Sequence, residues 1–157
     1  MRCKICENES KEIFSALLLN KYNVSYYQCE VCEFIQTEEP YWLDEAYSSA
    51  IADLDTSYVK RNFDMSFITK HILKYFIGTK KKFLDYGGGY GLYVRIMRDN
   101  GFDFYLFDQY CQNIFANNFK ITNLNVSEPF GLVTAFELFE HLPSPILELD
   151  KILDSTE

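Results

Sequence analysis

Hydrophobic and polar positions change their period as the 157-residue chain is followed from its amino terminus. Leu17 to Leu19 and Val24 to Tyr27 are short apolar runs between polar stretches, the pattern of small strands. Glu38 to Asp55 is acidic and aromatic, with Pro40, Tyr41, Trp42 and Tyr47, and reads as a linker followed by a short helix. From Ser57 to Ile77 the period is helical: Val59, Phe63 and Phe67 form one row, Ile68, Ile72 and Phe76 another, and Gly78 is placed to end it. This predicts a long helix whose apolar stripe packs across a sheet. The sheet itself begins at Phe83.

Phe83 to Tyr86 predicts a buried strand, Gly87 to Gly91 a turn, and Leu92, Tyr93, Ile96 and Met97 one face of a helix that Asn100-Gly101 terminates. Phe102 to Phe107 predicts a second strand, Phe119 to Leu124 a third, and Gly131 to Phe136 a fourth, apolar enough to be buried on both faces. Ser144 and Pro145 are an N-cap and first-turn pair for a last helix carrying Ile146, Leu149, Ile152 and Leu153. Strands alternating with helices predict an α/β fold with a parallel sheet. The expected division is a module over 1–40, a helical linker or cap over 41–78, and the sheet domain over 79–157.

Composition narrows the classes. A hydrophobic content of 48% with no apolar run near the ~20 residues of a membrane span argues for a soluble protein. Met1-Arg2-Cys3-Lys4 opens no signal peptide, so the expected compartment is the cytoplasm and no membrane partner is expected. A net charge of −8 opposes a nucleic-acid backbone, and Lys80 to Lys82 reads as the solvated lead-in to the first strand.

Cys3-x-x-Cys6 and Cys29-x-x-Cys32 are two tight turns that can point four thiolates at one zinc ion. Two disulfides are the alternative, and they need an oxidising compartment. The favoured reading is a zinc ribbon whose metal is structural, because four sulfurs leave no open coordination position. Cys111 reads as a small buried apolar residue, and His71 as a packed or solvent-edge histidine.

The glycine turn asks for a ligand whose backbone approach must be close. A dinucleotide fingerprint starting at Gly87 would require glycine where Leu92 stands, which disfavours an NAD-dependent oxidoreductase. Asp85, Gly87, Gly89 and Gly91 instead satisfy D-x-G-x-G-x-G. Asp108 closes the second strand 21 residues after Gly87, at the spacing of an acid that accepts hydrogen bonds from ribose hydroxyls. These residues resemble the first motif of class I S-adenosylmethionine-dependent methyltransferases. The resemblance implies a Rossmann-like sheet, with the glycine loop along the methionine and ribose part of the cofactor.

Phe136-Glu137-Leu138-Phe139-Glu140-His141-Leu142 resembles a segment after the fourth strand of many small-molecule methyltransferases, including sugar C-methyltransferases with an amino-terminal zinc module. The resemblance implies His141 as a base near the substrate, Glu140 orienting it, and Glu137 among the cofactor-binding residues. A second reading takes Glu137, Glu140 and His141 as ligands of a divalent ion in a metal-dependent O-methyltransferase. A third makes the segment a structural turn. Tyr47 and Arg61, ahead of the first strand, are candidates to reach a carboxylate of the cofactor, and Asn123 or Asn125 to face its adenine.

The resembling domains have seven strands, so the sequence corresponds to strands 1 to 4, a cofactor-binding portion without the later substrate wall. The expected activity is methyl transfer to a small molecule, a nucleotide-linked sugar among the candidates. The alternative is a non-catalytic module for assembly. The exposed edge of the fourth strand is expected to support self-association.

Overall fold

The computed structural model describes residues 1–46, 56–124 and 128–156. The chain folds as two compact units, one of Met1–Ser48 with Leu142–Leu149, the other of Ser49–His141 with Asp150–Glu157.

The first unit is built on an antiparallel sheet of β1 (Ser10–Leu18), β2 (Tyr22–Cys29) and β3 (Ile35–Thr37), in that order. Leu19 and Asn20 take left-handed backbone angles (φ 52° and 53°) to turn the hairpin, and the Lys21 amide donates to Leu18 O at 3.0 Å. The strands run well beyond the apolar runs of the sequence because main-chain pairing, from Ser10 opposite Cys29 to Leu18 opposite Tyr22, carries them through polar residues. Gln36 binds the amino-terminal segment to β3: its side chain accepts from the Lys4 amide at 2.7 Å and donates to Arg2 O at 2.8 Å. A four-residue helix α1 (Leu43–Ala46) follows.

The second unit opens with α2 (Tyr58–Ile72), which continues as a wider π turn through Leu73–Ile77 and stops at Gly78 (φ 102°). Behind it stand β4 (Lys82–Tyr86), α3 (Leu92–Asp99), β5 (Asp103–Phe107) and β6 (Leu132–Thr134); the last helix, α4 (Pro145–Asp154), belongs to the first unit up to Leu149 and to the second from Asp150. The sheet is parallel in the order β5-β4-β6. Lys120 bridges to Leu106 beyond β5, and Thr156 bridges to Phe130 beyond β6, both parallel. Phe119 to Leu124 therefore lies where a third strand was expected but pairs only at one bridge, with Leu106 N donating to Phe119 O and Ile121 N to Leu106 O, both at 2.8 Å.

β4 is central and buried on both faces. Phe83 packs with Leu73, Tyr93, Val94, Met97 and Phe104 on one side. Leu84 and Tyr86 pack with Phe107, Phe130 and Ile152 on the other. The alternation of the strand thus feeds two cores, one on each face.

The stripe on α2 corrects a sequence expectation. Val59, Phe63, Phe67, Ile68, Ile72 and Phe76 all face outwards, Phe76 at 85% exposure, while Ser66, Thr69 and Leu73 are the buried positions. Lys60, Arg61, Asn62, Asp64 and Lys70 are interleaved with the apolar rows round the helix, so its period did not reveal which side is buried. Small polar side chains decide the matter: Ser66 satisfies its own hydroxyl on Phe63 O at 2.7 Å and lets the helix approach closely. His71 lies on the exposed side, its Nδ1 2.7 Å from Phe67 O and its ring between those of Phe67 and Tyr75.

Candidate functional site

The glycine turn is held by backbone geometry that side chains would block. Gly87, Gly89 and Gly91 have positive φ (72°, 57° and 83°), and Gly91 is the N-cap of α3. A Cβ on Gly88 would stand 2.1 Å from Asp85 Oδ2 and 2.7 Å from Leu106 Cδ1, so this residue must be glycine for a packing reason as well. The Gly87 amide donates to Phe107 O at 2.7 Å, tying the loop to the carboxyl end of β5.

A cavity of about 220 Å³ opens over this loop. Its floor is Asp85, Gly87, Gly88 and Gly89, α2 supplies Tyr58, Arg61, Asn62 and Met65, α3 supplies Tyr93, and the segment after β6 supplies Phe136, Glu137 and His141. Asp85 is 2% exposed and accepts a hydrogen bond from Thr134 Oγ1 at 2.7 Å. Burial pushes its pKa up to about 7; the Thr134 hydroxyl opposes this and the charge of Asp108 adds to it. Tyr93 is 2% exposed, and its hydroxyl, near Thr69 and Thr134, has no well-formed hydrogen bond.

Asp108 is brought to the loop but does not line the cavity. Its Oδ2 accepts from the Gly89 amide at 2.9 Å, and its Oδ1 from the Tyr110 and Cys111 amides at 2.9 and 2.7 Å. A carboxylate offers about four acceptor positions, so the backbone occupies most of them. Cys111 is half-buried, and burial, helped by Asp108, raises its thiol pKa to about 11, which favours the neutral thiol.

Beyond β6, Glu137 has a left-handed backbone (φ 51°) unusual for a residue with a side chain, and this bend turns the chain over the cavity. Phe139–His141 form a single 3-10 turn, in which His141 Nε2 lies 3.8 Å from Glu140 Oε1. His141 reaches the cavity wall and Glu140 does not. Arg61 donates to Ser57 Oγ at 2.6 Å, and its Nε is 3.7 Å from Glu137 Oε2. Glu137, Glu140 and His141 are not gathered as a metal-ligand set; among the described residues the cysteine quartet is the one such group. Asn123 is exposed and away from the cavity wall, and Tyr47 and Asn125 lie outside the described residues. The sequence did not single out Tyr58, Asn62, Met65 and Thr134 for the site. Their signal is weak, because nothing in a helix or strand pattern says which residue borders an opening.

In the first unit, Cys3, Cys6, Cys29 and Cys32 bring their sulfurs within 4.8 Å of one another. The Cys3–Cys32 and Cys6–Cys29 separations are 3.5 Å and Cys6–Cys32 is 3.4 Å, close to the ~3.8 Å edge of a tetrahedron with zinc–sulfur bonds near 2.3 Å. The two knuckles repeat one geometry. Ile5 and Val31 amides donate to Cys3 and Cys29 Sγ at 3.4 Å each, Glu7 and Glu33 amides return to the Cys3 and Cys29 carbonyls, and Glu7 and Glu33 are both left-handed. All four thiols are free of disulfides, and the Asn8 side chain, followed by its backbone, lowers the Cys6 thiol to about 6. The quartet fits a zinc-binding module.

A parallel sheet whose central strand ends in a glycine turn, with a cavity at the carboxyl ends of the strands, defines the α/β class that binds nucleotide-like cofactors there. Residues 59–157 match the family model described as a methyltransferase domain. That is more than half of the chain, and the chain belongs to this methyltransferase family. No curated protein matches it. Among the described residues no helix is long and apolar enough to cross a membrane.

Proposed function

We propose that the cavity over the glycine turn binds S-adenosylmethionine and that the chain serves methyl transfer to a small molecule, with a nucleotide-linked sugar as a candidate acceptor. The observation that carries this is the cavity itself, in which a side-chain-free turn, a buried acid and an imidazole border one opening within a methyltransferase-family domain. The residues present fit the cofactor: Gly87 and Gly89, at positive φ, line the opening without side chains, and the buried Tyr93 hydroxyl on its wall has no well-formed hydrogen bond. When bound, the cofactor supplies an electrophilic methyl group on a sulfonium.

The chain's own part is positioning and proton handling. Gly87 to Gly89 present backbone to the ligand, and Asp85 places a carboxyl on the floor. Asp108 acts on the cavity through the loop it anchors, its Oδ2 accepting from the Gly89 amide at 2.9 Å. His141, which also lines the cavity, is suited to take a proton from the acceptor as it attacks, and Glu140 beside it at 3.8 Å orients the ring. The four cysteines hold zinc as a structural ion. Glu137 stands within ion-pair reach of Arg61, at 3.7 Å.

Calorimetric titration of the zinc-loaded chain with S-adenosylmethionine and with S-adenosylhomocysteine tests the reading. Micromolar binding of both is expected; failure of both, with the fold verified by amide spectra, removes it. With an acceptor in hand, His141→Ala should retain cofactor affinity within about threefold and lose at least ~100-fold in turnover.

A further inference from the structure

The outward side of α2 and its π turn carries more apolar surface than its own unit covers. Exposed residues recur there in two adjacent rows of period four. One row is Val59, Phe63, Phe67, His71 and Tyr75; the other is Lys60, Asp64, Ile68, Ile72 and Phe76. Such rows drift round an α-helix, whose turn is 3.6 residues, and the wider turn at Leu73–Ile77 takes back part of that drift. Tyr75 and Phe76 therefore stay outside, at 65% and 85% exposure. The rings of Phe67 and His71 lie 4.4 Å apart and those of His71 and Tyr75 6.2 Å apart, which makes the first row a continuous ridge. His71 Nδ1 already has a partner in Phe67 O, 2.7 Å away.

Charge is confined to the ends of this face. Lys60 and Asp64 pair with each other one turn apart, and Lys74 lies 5.4 Å from the centre of the Tyr75 ring. The rows thus present no unpaired acid in a chain of net charge −8, so two copies can meet here without the repulsion expected elsewhere. From their fractional exposures, the apolar side chains of the two rows expose on the order of 800 Å² together, taking roughly 150–250 Å² for a whole aromatic side chain. That exceeds the roughly 300–600 Å² of the largest apolar patch on a typical monomer. It matches the roughly 800 Å² that each partner buries in an interface of standard size.

We propose that this face joins two copies of the chain, their α2 helices crossing about a two-fold axis with the rows of each in the grooves of the other. Rows of period four on both helices favour a crossing of about −50°, and a two-fold contact uses one patch on both partners. Covering about two thirds of the face on each copy passes the ~1,000 Å² in total that a stable contact requires. The inner side of the same helix gives Tyr58, Arg61, Asn62 and Met65 to the cavity, so the contact braces that wall from behind. None of this depends on which ligand the cavity takes.

Sedimentation velocity on the zinc-loaded full chain, from about 0.5 to about 100 μM, tests it. Reversible formation of a species of twice the chain mass is expected, with a dissociation constant on the order of 10 μM. Phe63→Glu combined with Ile72→Glu should raise that constant at least about 100-fold. The melting temperature of this variant at roughly 0.5 μM, where both chains are monomers, should stay within about 2 °C of wild type. If the variant does not fold, wild type alone decides: its melting temperature must rise with protein concentration, and a constant one overturns the proposal. A wild-type monomer throughout the range overturns it, as does a dimer that the double variant leaves intact, since the contact then lies elsewhere, the β6 edge included. Co-sedimentation of a monomeric chain with phosphatidylserine vesicles, lost in the double variant, overturns it in favour of a lipid surface.

Discussion

Asp85 is held where ionisation is costly, and this has a consequence for stability that is independent of any ligand. Its folded-state pKa of about 7 lies above the 3.8 of an exposed aspartate, so between these values the native protein holds a proton that the unfolded chain has lost. Stability from this group is therefore fully present below about pH 4, falls as pH rises to about 7, and is level above that. Asp85→Asn should be more stable than wild type at pH 8, by up to an order of 4 kcal/mol, with the gap closing at pH 4; denaturant melts at the two pH values measure it. Gly88→Ala should cost at least about 2 kcal/mol and abolish cofactor binding, because its methyl would overlap the Asp85 carboxylate and the Leu106 side chain. Asp108→Ala releases three backbone amides together, and a loss of roughly 3 kcal/mol in a thermal melt is expected.

At the scale of the element, α2 offers a comparison between what its period suggests and where its side chains lie. Phe67 belongs to the row that reads as the core face, yet it is 61% exposed, whereas Leu73 in the following π turn is fully buried. Phe67→Ser should change unfolding free energy by less than about 0.5 kcal/mol, and Leu73→Ala should cost roughly 2–5 kcal/mol. α3 follows its pattern more closely: Tyr93, Ile96 and Met97 are buried as expected, Leu92 is half-buried with Val94 buried beside it, and its exposed Arg95 pairs with Asp99 one turn on at 2.8 Å. The difference is one of arrangement. α3 gathers its polar residues on the outside, while α2 scatters Lys60, Arg61, Asn62, Asp64 and Lys70 among its apolar rows and marks its inside with Ser66 and Thr69.

For the molecule as a whole, the two units depend on different sources of stability. The parallel-sheet unit has two apolar clusters on the faces of β4. The cysteine unit leaves Ile13, Phe14, Leu17 and Ile35 exposed and has few fully buried apolar side chains, among them Val24 and two of its cysteines. With so few buried apolar side chains, this unit draws its stability from a metal held by the four cysteines in the proposed reading. Chelation should therefore strip amide protection from β1 and β2 while β4 and β5 keep theirs, a result that hydrogen exchange with and without chelator will show. Cys29→Ser should reproduce the effect without chelator.

The spacing of Cys3, Cys6, Cys29 and Cys32, the D-x-G-x-G-x-G run ending at Gly91, and the alternation through β4 are local patterns, and local patterns survive in a linear sequence. They were enough to specify a cysteine module, a parallel sheet and a glycine turn beside Asp85 and Asp108. Several things were settled only by distant packing: that α2 turns its aromatic rows outwards, that among the described residues 119–124 pairs at a single bridge, that Asp108 spends its oxygens on backbone amides, and that Glu137 stands 3.7 Å from Arg61. Each depends on which surfaces meet across tens of residues, and on which buried polar group finds a partner there. Neither quantity is written in the period of any one segment.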